Sequence, residues 1–191
     1  MAPAENTALS RAERRETLIG HASYHRGMST PQTSHAPRRF DLLAWFTGWS
    51  ILTLLLGGWF TAMGLNEWYE TLEKPPFQPP SWAFTPAWFT IFTLLTIATW
   101  RVARHPRQDQ TTMILYGVQL ALNAAWSLLF FTFQRPDWAL VEILALDVVV
   151  LALAIRYLRI DRIAGVLLAP YVAWLALATA INAWIVQNTA A

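Results

Sequence analysis

Five apolar stretches, at about 41–65, 81–103, 111–133, 138–158 and 163–187, dominate this chain of 191 residues. At about 1.5 Å per helical residue, each is long enough to cross a hydrocarbon core of about 30 Å. A bilayer interior offers no water to unpaired N–H and C=O groups, so segments that cross it must pair their own backbone as helices. The expected fold is therefore all-α: an integral membrane bundle of five transmembrane helices formed by residues 40–191. Composition agrees, because a chain with 55% hydrophobic and only 14% charged residues is too apolar for an ordinary soluble domain.

Residues 1–39 differ from the rest. They are polar, rich in Ser, Thr, Ala and Arg, and have no apolar run able to pack, which predicts a disordered, basic N-terminal tail. The apolar core of a cleavable secretory signal is missing. An Arg-rich, Ser-containing leader also fits an organellar transit peptide, against which Glu5, Glu13 and Glu16 count, and Met28 is an alternative start. His21 and His25, four apart, would share a helix face if they held a metal; a solvated tail is the simpler expectation. The chain has no Cys, which excludes disulfides and thiolate chemistry, and no metal site is expected.

The cations give a topology. Arg11, Arg14, Arg15, Arg26, Arg38, Arg39, Arg101, Arg104, Arg107, Arg156, Arg159 and Arg162 fall on the side of the N-terminal tail, and only Lys74 and Arg135 fall opposite. The positive-inside rule then puts the N-terminus in the cytoplasm and the C-terminus outside. A net charge of +2 distributed in this way is a topology signal, not an affinity for nucleic acid. Loop 66–80, NEWYETLEKPPFQPP, becomes external. Its paired prolines fix φ and favour an extended path over a helix, so it is expected to form a stiff lid.

Eleven tryptophans need places. Trp82 and Trp138 open helices at the outer interface, and Trp45 and Trp100 lie near the inner one, where an amphipathic indole anchors well. Trp138 serves equally as a pocket wall. Trp88 and Trp126 lie about 10 Å from the outer face and Trp174 about 20 Å, too deep for a belt, so they fill helix contacts or line a cavity. Asn123, Glu142 and Asn182 fall at about 15, 6 and 7 Å. With Trp68 and Tyr69 of the lid above them, these residues outline a concave aromatic site with a few directional polar groups, suited to a flat apolar ligand. Gln119, Asn123 and Asn182 are equally able to cross-link helices. Glu142 is close enough to the outer surface to snorkel. Asp147 is not, and is expected to stay protonated or to bond an amide such as Asn123. Gly117, Ala121 and Ala125 recur every fourth position on the third helix, a stripe that brings helices close either within one protomer or between two. All four histidines, His21, His25, His35 and His105, lie outside the apolar segments, so a flat ligand buried there would be held by stacking and shape and not by an axial His.

A family resemblance rests on many residues in order. Trp68-Tyr69, Leu72, Lys74-Pro75, Pro79-Pro80, Trp82 and Pro86-Ala87-Trp88 are followed by Tyr116, Gln119-Leu120-Ala121-Leu122-Asn123, Ala125-Trp126 and Phe130-Phe131. Then come Trp138-Ala139-Leu140-Val141-Glu142, Pro170-Tyr171, Ala173-Trp174-Leu175-Ala176 and Asn182. Over about residues 66–184 this resembles the tryptophan-rich sensory protein family, whose eukaryotic members are the mitochondrial translocator or peripheral benzodiazepine receptors. The resemblance implies a membrane receptor or sensor, with a role in tetrapyrrole metabolism or stress signalling. Its ligands would be protoporphyrin-type tetrapyrroles and isoquinoline or benzodiazepine-like compounds, bound by Trp68, Tyr69, Trp88, Asn123, Trp126, Trp138, Glu142, Trp174, Ala178 and Asn182. Porphyrin would be ligand and not obligatory cofactor, and a homodimer through helix 3 is expected; a basic tail without the hallmark of a transit peptide favours a bacterial source. Two other activities follow from the same family. One is light-dependent porphyrin breakdown involving Trp88, Trp174 and Tyr69; the other is porphyrin or lipid transport. No acid–base constellation suggests ordinary catalysis. The chain departs from the family at Phe77, where Trp is common. It departs again at Ala183 and Gln187, which replace the Tyr and Arg of a proposed cholesterol motif, so sterol binding is not implied.

Overall fold

The computed structural model describes residues 39–189, so the expectations for the tail, including His21, His25, His35 and Met28, lie outside the described residues. Among the described residues the structure is helical and contains no strand. Five helical spans, Asp41–Gly64, Ser81–Ala103, Gln110–Thr132, Pro136–Ile160 and Arg162–Asn188, are long and apolar enough to cross a membrane. The elements are α1 (Arg39–Gly64), α2 (Glu67–Thr71), α3 (Ser81–Ala103), α4 (Gln110–Ser127), α5 (Pro136–Ile160), α6 (Arg162–Leu167) and α7 (Ala169–Asn188).

Three departures from the sequence reading shape the site. The first half of loop 66–80 is not extended: Asn66 accepts from the Trp68 N–H at 3.0 Å and caps the short helix α2, and only the proline-bearing remainder is non-helical. The third span ends in a π-helical turn, Leu128–Thr132, in which the Phe133 N–H reaches the Leu128 carbonyl at 2.9 Å. Gln134, at φ 54°, then reverses the chain into α5. The fifth span is broken at Leu168 because Pro170 can neither donate to the Val166 carbonyl nor avoid crowding it.

α1 packs on α3 and α4, α4 on α5, α5 on α6 and α7, and α6 on α3; α3 and α7, which complete the ring, meet only sparsely. Gly64 permits one unusually close approach. A Cβ there would lie 2.2 Å from the Phe131 carbonyl oxygen, so glycine lets the end of α1 sit directly on the π turn. That contact fixes the turn that presents Phe130 and Phe131. Away from loop 66–80 the bundle is stitched by polar bonds. Arg101 pairs with Asp161 at 2.8 Å, Arg107 donates to the Ile160 carbonyl at 3.0 Å, and Arg156 bonds Thr112 at 3.0 Å and also Asp109. Inside this end, Tyr157 and Thr99 share a hydrogen bond of 2.8 Å among fully buried Ala98, Val102 and Leu153.

Candidate ligand site

Two groups of rings stand on α3, α4, the π turn that follows it, and α7. In the first, Trp88 meets Trp174 edge-on at 6.3 Å between centroids, Tyr171 at 6.4 Å and Phe92 at 5.9 Å, while Phe84 lies 5.5 Å from Trp174. In the second, Trp126 stacks on Phe130 at 5.1 Å and meets Phe131 edge-on at 5.9 Å. Trp68 and Tyr69 of α2 close over this second group, 6.1 Å from Phe130 and 5.7 Å from Phe131 respectively. Trp126 packs against both the main core and the smaller core beneath loop 66–80, so it links the two groups. Aromatic pairs of this kind contribute about 0.5–1.5 kcal/mol each beyond their buried area.

Polar bonds hold the rings in place. The Asn123 amide donates to the Tyr171 hydroxyl at 3.0 Å, which donates in turn to Gln119 at 3.0 Å. Trp126 Nε1 donates to Asn182 at 3.1 Å, and the Asn182 amide donates to the Pro136 carbonyl at 2.8 Å. The amides of Asn123 and Asn182 thus cross-link helices, the second of their two readings, within the same aromatic setting. Asp147 does not bond Asn123, which is committed to Tyr171; it accepts from Thr179 at 2.8 Å. Glu142 does not snorkel: both carboxyl oxygens are buried and have no hydrogen-bond partner, as is also true of Gln119 Nε2.

The remaining predicted site residues are dispersed. Trp138 is 59% exposed with the Arg135 guanidinium 4.9 Å above its ring, the arrangement of an interfacial anchor, and it stands apart from the rings described above. Ala178 packs half-buried against the main core. The stripe on α4 splits: Gly117 and Ala121 are exposed beside a groove of about 680 Å³ between α1 and α4, and Ala125 is half-buried. Sequence reasoning passed over Phe84, Phe92 and Tyr171 as site residues. Helical spacing is the signal that finds them: Phe84, Trp88 and Phe92 recur every four residues, and Tyr171 and Trp174 are three apart, so each set shares a face.

Loop 66–80 is fastened down. Lys74 Nζ lies 4.5 Å from the centre of the Tyr69 ring, Gln78 donates to the Tyr69 hydroxyl at 3.4 Å, and Phe77 meets Trp184 at 5.9 Å. Burial holds the Tyr69 hydroxyl above the ordinary phenol range, with the Gln78 bond opposing and the nearby Glu70 charge reinforcing the rise. It is a neutral hydrogen-bonding group at physiological pH. A crevice of about 290 Å³ opens on the flank of the bundle, lined by Pro86, Ala87, Thr90 and Ile91 of α3 and by Pro170 and Trp174 of α7.

Five apolar spans around a tryptophan-rich, polar-pinned cluster define a multi-pass helical membrane protein of the tryptophan-rich class. Residues 46–187 match the TspO/MBR family, and the chain belongs to that family. It is 39% identical over 138 residues to the tryptophan-rich protein TspO of Archaeoglobus fulgidus, a match covering 70% of this chain and 90% of that one. The tryptophan-rich sensory protein of Cereibacter sphaeroides is 36% identical over 117 residues, covering 61% of this chain and 73% of the relative. The translocator protein of Bos taurus is 34% identical over 131 residues, covering 66% and 78%.

Proposed function

We propose that this protein is a membrane receptor or sensor that binds protoporphyrin-type tetrapyrroles and similar flat apolar molecules among the rings beneath loop 66–80. One observation carries the reading: Trp88 and Trp174, on two helices that otherwise hardly touch, meet ring to ring at 6.3 Å beside an open crevice. Rings on separable helices offer a flat guest two faces to stack on, and the lack of His in the five spans suits a metal-free macrocycle. Names of relatives that include "sensory" and "translocator" sit well with a role in signalling a bound ligand. By the positive-inside rule the Arg-rich end faces the cytoplasm, and the exposed Gly117 and Ala121 offer a small-residue face for a homodimer.

The test is quenching of Trp fluorescence by protoporphyrin in the dark, in detergent, for the native chain and for Trp88→Ala and Trp174→Ala. Saturable quenching, weakened about three- to tenfold by each substitution, is expected from the loss of one aromatic contact. Absence of saturable binding to the native chain would sink the reading. Illumination separates the alternative favoured by the same Trp pair, photochemical breakdown: a product that forms only while both Trp88 and Trp174 are present would make the protein an enzyme.

A further inference from the structure

We propose that the seam between α3 and α7 is a lateral port through which an apolar ligand passes between the bilayer and the aromatic cluster; this rests on the binding function proposed above.

The two possible routes differ sharply. From the aqueous side, loop 66–80 blocks the way: Trp68 and Tyr69 are seated on Phe130 and Phe131, Gln78 and Lys74 hold Tyr69, Phe77 is against Trp184, and Leu72 is only 5% exposed. Opening it requires breaking several aromatic and polar contacts at once. From the bilayer side, α3 and α7 are the sparsely packed neighbours in the ring of helices, and the gap between them is the crevice.

Both lips of that crevice carry a proline. Pro86 lies inside α3 and Pro170 in the first turn of α7, and each lacks the N–H that would tie its turn to the preceding one. Helices yield most readily at such points, and membrane helices tolerate proline where neighbouring structure compensates. Trp174 then has a double position. Its half-buried ring lines the crevice and also touches Trp88 and Phe84, with buried Tyr171 behind Trp88. Trp174 therefore stands where the crevice meets the other rings of the cluster. A volume of about 290 Å³ falls just below the range for ligand pockets, about 300–1,000 Å³, which suits a threshold better than a final resting place. The ligand chemistry agrees, because a flat apolar molecule concentrates in the bilayer and reaches this seam without crossing water.

Because the chain has no cysteine, Thr90→Cys places one thiol on the α3 lip. The folded protein in nanodiscs can then be tagged with a bulky benzyl disulfide and restored by reductant, so one preparation serves as its own control for folding. Protoporphyrin is the probe, and quenching of Trp fluorescence gives its association and dissociation rates. A port predicts that the adduct slows both rates together, by about tenfold, leaves Kd within about twofold, and is reversed on reduction. Unchanged rates would overturn the port and send the ligand beneath loop 66–80. A raised Kd with an unchanged association rate would also overturn it, making the crevice part of the binding site. Failure of the untagged protein to bind protoporphyrin would instead remove the binding function itself.

Discussion

At the Arg-rich end of the bundle two carboxylates have work within the fold: Asp109 caps α4 and pairs with Arg156, and Asp161 caps α6 and pairs with Arg101. Toward loop 66–80, Glu142 has no partner for either oxygen. The contrast extends to other groups. Among the described residues, Arg101 Nε is partnerless at the first end and Gln119 Nε2 midway along α4, whereas Gln78, Trp184 and Thr189 join Glu142 at the second. Buried polar atoms are normally satisfied, and those left over concentrate where function outweighs stability. One end behaves as a scaffold; the other retains unspent hydrogen-bonding capacity around its rings.

Removing an acid from each end should therefore act with opposite sign. The larger effect belongs to Asp161. Its carboxylate accepts from the Ile163 and Ala164 N–H groups at 2.9 and 3.2 Å, and these bonds with the Arg101 charge keep it below the usual carboxylate range although burial pushes it up. Asp161→Ala removes a cap, about 0.5–2 kcal/mol, and a pair whose Arg101 side chain is 34% exposed, adding no more than about 1 kcal/mol. Chemical unfolding in detergent should show a loss of about 1–3 kcal/mol. A variant as stable as the native chain would break the picture of this end as a scaffold.

Glu142→Leu should instead stabilise, by about 1 kcal/mol, because it replaces an unsatisfied buried acid with an apolar side chain of similar size. Glu142→Gln keeps a polar group there and should recover less of that gain. Loss of stability in the Leu variant would mean that Glu142 is paired in the membrane and that the contrast between the ends is false.

How far the sequence announced this arrangement depends on which force placed each residue. Span lengths, proline positions and arginine bias are one-dimensional signals, and the five helices lie close to where apolar runs put them. Loop 66–80 shows the limit. Its prolines predict an extended chain from residue 75 onward, but Asn66, an N-cap residue before Glu67, announces the helix α2 that proline counting overlooked. Toward loop 66–80, Trp88 meets Trp174 and Trp126 stacks on Phe130, whereas Trp138 is exposed. Depth along a helix says nothing about azimuth, and azimuth decides between wall and anchor. The partners of Asn123, Asn182 and Asp147 depended on which helices are neighbours, a fact of packing that no single segment carries. The π turn left no clear signal in its own residues, since what supports it is the bare Cα of Gly64, more than sixty positions earlier.

The smallest effect concerns Asp109, the exposed acid of the scaffold end. The Thr112 hydroxyl and N–H, the latter at 2.9 Å, and then Arg156 lower its pKa from 3.8 to about 2. A carboxylate with a depressed folded pKa lends its stability above the unfolded value and loses it as pH falls toward the folded one. The thermal midpoint should therefore be insensitive to Asp109 from neutral pH down to about 5, then decline between about pH 4 and pH 2 as the cap and the Arg156 pair are lost. Asp109→Asn should lower the midpoint slightly at neutral pH, since Asn caps nearly as well but leaves Arg156 uncompensated, and should flatten the acid decline. An equal acid decline in both proteins would place the responsible titration elsewhere and confine the scaffold role of this end to Asp161 and its neighbours.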